Sequence, residues 1–257
     1  MLLTYDVGNT NIVVGLFDGD ALAAHWRFAS DRSRTGDELR LMTRSLLAEA
    51  GVSPERIDGV AIASVVPSLN TPLRRGLTPL IRGPIRFLHA DTAPIPLRVE
   101  QPRNVGADRI ANCIAGHALY GGPLLVLDFG TAINFDLVSE DGAFLGGAIA
   151  PEMRLAARAL TDTAAQLHSV EWTLPESVVG RNTAHNLQAG VVLGYLDLVD
   201  GLIGRFRQEV GTELAVLATG GKGELFHREL DAIAHYDPFL TQKGLRIWWS
   251  CTEEASG

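Results

Sequence analysis

The chain has 257 residues, 46% of them hydrophobic and 20% charged, with a formal net charge of -8. That size holds one large domain or two modest ones, each with its own core, and the composition excludes a disordered chain. The acidic balance argues against nucleic acid or anionic membrane as a partner, because both would repel it. Cys113 and Cys251 lie in no CxxC or histidine-containing cluster, which argues against structural zinc and agrees with a reducing, cytoplasmic setting. The opening MLLTYDVGNT does not have the form of a signal peptide. No uninterrupted apolar run approaches the roughly 20 residues that a membrane span needs.

In chain order, Leu2 to Val7, Ile12 to Phe17 and Leu22 to Phe28 read as three strands joined by Gly8-Asn9-Thr10 and Asp18-Gly19-Asp20 turns. Asp37 to Ala50 has helical spacing. Gly59 to Val66 reads as a buried strand stopped by Pro67, Leu69 to Ile81 as a helix, and Arg86 to Ala90 as a short strand. Residues 91 to 103, with Pro94, Pro96 and Pro102, form a loop, and Asn104 to Tyr120 is helical. Leu124 to Leu127, Asn134 to Val138 and Phe144 to Ala150 then read as strands. Pro151 opens a helix at its favoured first position. A long helix runs from about His185 to Val210. Leu214 to Ala218 is a strand closed by Thr219-Gly220-Gly221 before another helix. A strand over Ala232 to Tyr236 and a helix over Phe239 to Trp249 finish the chain.

The second half restarts the first. Asp6-Val7-Gly8-Asn9-Thr10 and Asp128-Phe129-Gly130-Thr131-Ala132 are both Asp-apolar-Gly-polar turns after an apolar strand, 122 residues apart. Each is followed by a strand and an acidic-Gly turn, the pattern expected of a duplicated βββαβαβα unit. The predicted division is 1–120 and 121–257.

The turn chemistry suits phosphate. Phosphoryl transfer asks mainly for positioning and for neutralising charge on phosphate oxygens. A glycine turn lets backbone N–H groups approach phosphate closely. Asn9, Thr10 and Asn11 add side-chain donors. Asp6 could hold Mg²⁺ directly or through its waters, and Asp128 takes the matching place in the other half. Thr219-Gly220-Gly221 offers a flat backbone for a base or sugar.

The sequence resembles the type III pantothenate kinases over essentially its whole length. The matching stretches include DVGNTNIVVGLFDG (6–19), SVVPSL (64–69), NVGADR (104–109), LDFGTAINFD (127–136), GGAIAP (146–151), GRNT (180–183), ATGG (218–221) and DPFLTQKGL (237–245). The resemblance implies an α/β duplicated actin-like ATPase (ribonuclease H-like) fold with ATP in the cleft between two halves. It also implies a homodimer that phosphorylates pantothenate to 4′-phosphopantothenate, the first step of coenzyme A synthesis, using a divalent metal and K⁺ or NH₄⁺. Residue by residue, it implies an ATP-binding segment of Asp6, Val7, Gly8, Asn9, Thr10, Asn11, Ile12 and Val13, with Thr131, Gly220 and Gly221 as further ATP contacts. Asp108 matches the general base, and Gly106, Ala107, Asp108 and Arg109 match the pantothenate segment. Asp128 matches the monovalent-cation ligand, and Thr183 a pantothenate contact supplied by the partner subunit.

Several positions depart from the family pattern. Val99 stands where a pocket tyrosine is usual, Ile133 and Asn134 replace two threonines, Glu152 replaces a glycine, and Lys222 replaces an apolar residue. Glu152 either repels phosphate unless a cation screens it or favours the first turn of a helix. His25, His117, His185 and His235 form no pattern and read as structural or solvated. Two alternatives accompany the kinase reading: a non-catalytic dimeric ligand-binding or regulatory relative, and a kinase for another small hydroxylated substrate.

Overall fold

A computed structural model describes residues 1–163, 170–211 and 213–254. Its described residues carry two five-stranded sheets. The first contains β1 (Leu2–Val7), β2 (Asn11–Asp18), β3 (Ala21–Ala29), β4 (Gly59–Ser64) and β5 (Ile85–Phe87), in the order β3-β2-β1-β4-β5. β1 pairs antiparallel with β2 and parallel with β4. The second contains β6 (Leu124–Phe129), β7 (Ala132–Val138), β8 (Phe144–Pro151), β9 (Ala215–Thr219) and β10 (His235–Tyr236). From β8 its order is β8-β7-β6-β9-β10. Counted from the start of each half, both sheets read 3-2-1-4-5. The internal repeat expected from the two Asp-Gly turns is therefore a repeat of sheet topology.

The helices are α1 (Gly36–Glu49), α2 (Pro67–Leu77), α3 (Ala107–Tyr120), α4 (Met153–Thr163), α5 (Thr183–Gln188), α6 (Gly194–Val210), α7 (Gly223–Glu229) and α8 (Leu240–Glu254). A π-helical turn, Ala189–Leu193, joins α5 to α6.

Cα packing separates two compact units. One is built from Met1–Gly121, Val138–Gly146 and the segment from Phe239 onward; the other from Gly122–Leu137 and Gly147–Pro238.

In the first unit, period-two alternation sends the two faces of each strand to different cores. Leu3, Tyr5 and Val7 of β1 and Val60 and Ile62 of β4 pack with Leu39 and Leu47 of α1 and Leu69, Leu73 and Leu77 of α2. Ala61 and Ala63 of β4 face the other way, onto Ile110, Ala111 and Ile114 of α3 and Leu245, Trp248 and Trp249 of α8. Two of the polar side chains buried here are paired. The Tyr5 hydroxyl lies 2.8 Å from Thr43 Oγ1, and Gln242 Nε2 donates to the Val13 carbonyl at 3.2 Å.

In the second unit, Leu125, Leu127 and Phe129 of β6, Phe135 of β7 and Val216 and Ala218 of β9 pack on Leu196, Val199 and Ile203 of α6 and Phe226 of α7. The Phe129 and Phe226 rings stack at 4.3 Å. The continuous stretch Thr183–Val210 is long and apolar enough to cross a membrane by length and composition alone. Leu196, Val199 and Ile203 are core residues, and a core helix of a globular domain passes the same test.

Most elements follow the sequence reading, with shifts at their ends. Pro151 does not open a helix. β8 runs through it and α4 starts at Met153, because Pro is tolerated on an edge strand, and β8 is the edge of its sheet. Pro67, read as a stop, is the first residue of α2. The last strand shrinks to His235–Tyr236, and α8 runs on to Glu254.

Candidate active site

In the first unit, β1 ends at Val7, and Gly8, Asn9 and Thr10 form the turn into β2. The Gly8 N–H donates to the Asn11 carbonyl at 3.0 Å, which closes the turn. Asn9, Thr10 and Asn11 are exposed, whereas Val7 and Ile12 are buried and Asp6 is half-buried. The donors expected to meet phosphate thus stand out from a tip anchored by apolar neighbours. Val13 continues β2, paired with Asp6.

The loop after β3 is tied to this turn. The Ser30 N–H donates to the Thr10 carbonyl at 2.9 Å, and Arg32 Nη2 donates to Asn9 Oδ1 at 3.0 Å. Arg32 carried no signal in the sequence, because the contact spans 23 residues and follows no motif spacing.

Asp108 lies in the first turn of α3, where its Oδ1 accepts the Arg109 N–H at 2.8 Å. Burial raises its pKa above the usual aspartate value. The Arg109 N–H bond and the Arg109 charge act in the opposite direction and only partly offset that rise. Gly106 precedes it, and a Cβ there would stand 2.5 Å from Asp108 Oδ1. Glycine at 106 leaves the carboxylate its room, and Ala107 is buried beneath.

Residues 96–99 run beside the start of β8. The Arg98 N–H donates to the Phe144 carbonyl and the Phe144 N–H to the Pro96 carbonyl, both at 2.9 Å. This brings Val99 next to Gly146. The Arg109 guanidinium sits 5.2 Å above the Phe144 ring, a cation–π contact that fixes its direction. Phe144, which sequence reading assigned only to a strand, thus packs against a candidate site residue. His117 is structural: its Nε2 lies 3.0 Å from the Glu140 carbonyl.

In the second unit, β6 and β9 run parallel with Asp128 opposite Thr219. That register carries the chain from Thr219 into Gly220, beside Asp128. Gly220 has φ +83°, and a Cβ on it would lie 2.7 Å from the Phe129 carbonyl oxygen and 2.8 Å from Asp128 Oδ1. Only glycine satisfies both the left-handed backbone and the close approach. The Tyr236 hydroxyl donates to the Gly220 carbonyl at 3.1 Å, holding the turn from its other side. Gly130 and Thr131 form the exposed tip between β6 and β7. Gly130 N–H bonds the Ala132 carbonyl at 3.0 Å, so this tip is one residue shorter than its counterpart at Gly8.

The two substitutions expected to trouble this region meet each other. Glu152 and Lys222 form an ion pair. The carboxylate also caps α4, with the Leu155 N–H donating to Glu152 Oε2 at 3.2 Å. Both readings of Glu152 therefore apply: it caps a helix, and a cation screens it.

Thr183 is the exposed first residue of α5, behind the capping Asn182. Ile133 is buried in the core of the second unit, so it lines no surface. Among the described residues, no three His, Cys, Asp or Glu side chains gather as a metal cluster. A divalent ion at Asp6 would therefore take most of its ligands from phosphate and water, the normal habit of Mg²⁺ with nucleotides.

A family model described as type III pantothenate kinase matches residues 2–205. The chain belongs to the type III pantothenate kinase family. Relatives named type III pantothenate kinase include one from Roseiflexus sp. (strain RS-1), 46% identical over 96% of this chain and 97% of the relative. Another, from Moorella thermoacetica, is 47% identical over 96% of this chain and 98% of its own. Among solved structures, a Baf family protein from Campylobacter jejuni aligns with a TM-score of 0.63 at 19% identity, covering 98% of this chain and 99% of that one. The ROK hexokinase from Thermus thermophilus aligns at 0.53 and 17% identity, over 100% and 99%. The duplicated fold of this type III pantothenate kinase family member is thus that of the actin-like and sugar-kinase proteins.

Proposed function

We propose that this kinase transfers the γ-phosphoryl group of ATP to the primary hydroxyl of pantothenate, giving 4′-phosphopantothenate and ADP in the first step of coenzyme A synthesis. The observation that carries this reading is the Asp108 carboxyl, whose proton affinity is raised by burial at the start of α3, beside Arg109. A raised carboxylate suits a general base. Asp108 accepts the hydroxyl proton as the hydroxyl oxygen bonds to phosphorus and the bond to ADP breaks.

The remaining residues position and neutralise. The segment from Asp6 to Val13 holds the phosphates through its exposed tip, with backbone N–H groups and side chains of Asn9, Thr10 and Asn11 meeting phosphate oxygens, and Thr131 adds a hydroxyl. Gly220 and Gly221 carry the adenosine. Arg109 pairs with the pantothenate carboxylate, with Gly106, Ala107 and Val99 around it. Bound Mg²⁺, held near Asp6, supplies neutralisation of the phosphate charge. Asp128 is the residue for a monovalent cation, K⁺ or NH₄⁺.

The working form in this reading is a cytoplasmic homodimer in which Thr183 reaches the pantothenate of the partner subunit. Exposed apolar residues of the second unit support an interface: Ile149 is 64% exposed, Val178 71% and Val179 73%, with Leu155, Leu160 and Leu174 also exposed. The test of function is ADP release from ATP, Mg²⁺ and pantothenate, with K⁺ exchanged for Na⁺. Release that requires both pantothenate and K⁺ supports the assignment. Release without pantothenate dependence, or none from folded protein, overturns it.

A further inference from the structure

The phosphate turn of β1–β2 presents Asn9 with its side chain exposed. A carboxamide has two faces: its oxygen accepts and its NH₂ donates. A phosphate oxygen can be met only by the NH₂ face. An unrestrained exposed Asn spends part of its time with the wrong face forward.

Arg32 removes that ambiguity. Its guanidinium can only donate, so the Asn9 atom 3.0 Å from Arg32 Nη2 is the oxygen. The NH₂ is then directed away from Arg32. The loop that carries Arg32 is itself held in place. The Asp31 carboxylate accepts both the Ser33 N–H at 2.9 Å and the Ser33 hydroxyl at 2.7 Å, and the Ser30 N–H ties the strand end to Thr10. Asp31 is occupied by Ser33, and Arg32 makes no ion pair among the described residues. Its positive charge therefore stays unneutralised next to a turn built to receive phosphate.

We infer that Arg32 is a positioning residue for nucleotide binding, which holds the Asn9 carboxamide with its NH₂ directed to the ATP phosphates. The inference rests on the turn at Gly8–Val13 being the phosphate site of the proposed kinase. It adds to that site a residue from outside the motif.

The experiment compares wild type with Arg32→Ala, Arg32→Lys, Asn9→Ala and the Arg32→Ala/Asn9→Ala double variant. Two readouts are taken, MgATP binding by calorimetric titration and steady-state turnover with pantothenate. Loss of one charge-assisted orienting bond should weaken MgATP binding by about 5- to 20-fold in Arg32→Ala. KM for ATP should rise in parallel, with KM for pantothenate and the thermal midpoint unchanged. Arg32→Lys keeps a donor and should recover most of the loss. In the Asn9→Ala background, removing Arg32 should cost less than about twofold, because the group it orients is gone. An unaltered Arg32→Ala affinity overturns the inference. So does an Arg32 effect of full size in the Asn9→Ala background, which would make Arg32 a direct phosphate contact. A fall in thermal midpoint with both KM values rising would make it merely structural and also overturn it. If wild type shows no pantothenate-dependent ADP release, the kinase reading fails by itself, and the MgATP titrations still decide the role of Arg32.

Discussion

Glu152 and Lys222, 70 residues apart in the chain, form an ion pair that joins the start of α4 to the loop that follows β9. The Glu152 side chain is 13% exposed and that of Lys222 26%. Burial lowers the pKa of Lys222, yet a carboxylate beside it favours the charged form. Lys222→Met strands a mostly buried carboxylate and should lower stability by about 1–3 kcal/mol. Glu152→Gln keeps an acceptor for the Leu155 N–H and should cost less. The double variant should be more stable than Lys222→Met alone, because neither charge is left unpaired. Denaturant unfolding of the three variants measures this.

Gly220→Ala should be severe for its size. The new methyl would press on the Phe129 carbonyl and the Asp128 carboxylate from a backbone at positive φ, a strain of about 1–3 kcal/mol. Displacement of Asp128 should then appear as weaker activation by K⁺ along with a raised KM for ATP. A K⁺ titration of Gly220→Ala against wild type checks both effects.

Asp108→Asn should leave MgATP binding nearly intact and cut kcat by about 10²-fold or more, as loss of a general base does. A kcat within a few fold of wild type would refute the assigned role.

The raised pKa of Asp108 gives a pH dependence with a definite sign. Below that pKa the carboxyl is protonated and cannot accept the hydroxyl proton, so activity falls as pH falls. Because burial raises the value, the acid limb should lie at higher pH than an ordinary aspartate would give. The Arg109 charge pulls the other way. Arg109→Met should therefore move the limb to still higher pH, and Arg109→Lys should move it less. The pH profile of kcat at saturating substrates provides the comparison.

Thr183 and Asp108 test whether the site is shared. If Thr183 serves the partner's pantothenate, an inactive Thr183→Val chain mixed with an inactive Asp108→Asn chain should regain part of the wild-type activity on forming heterodimers. No recovery from a mixture that demonstrably exchanges subunits would place Thr183 outside a shared site.

What the sequence made legible was the local and repeated part. Strand alternation, the two Asp-Gly turns and their mid-chain restart are short-range patterns, and the sheet orders agree with them. Contacts that depend on distant segments were not legible. Glu152 and Lys222 read as two separate departures, and nothing in their spacing showed that each compensates the other. Arg32 belongs to no motif, and only its hydrogen bond to Asn9 ties it to the first turn. Phe144 read only as part of a strand, and the fold alone puts the Arg109 guanidinium over its ring and the 96–98 segment along its backbone. Pro151 was misplaced because one residue type serves two boundaries, and the deciding signal was the Glu152 cap rather than the proline.

The partnership of α8 with the first sheet has a consequence for how the protein is made. The Ala61 and Ala63 face of β4 is covered by α3 together with Leu245, Trp248 and Trp249 of α8, residues translated long after β4. While a ribosome is still adding them, the N-terminal sheet is already synthesised but lacks part of its cover. The emerging chain therefore carries a sticky, unfinished surface from the synthesis of β4 until α8 emerges, the state in which chaperones bind and aggregation starts. A chain cut short before Leu245 cannot cover that face of β4, whatever motifs it carries.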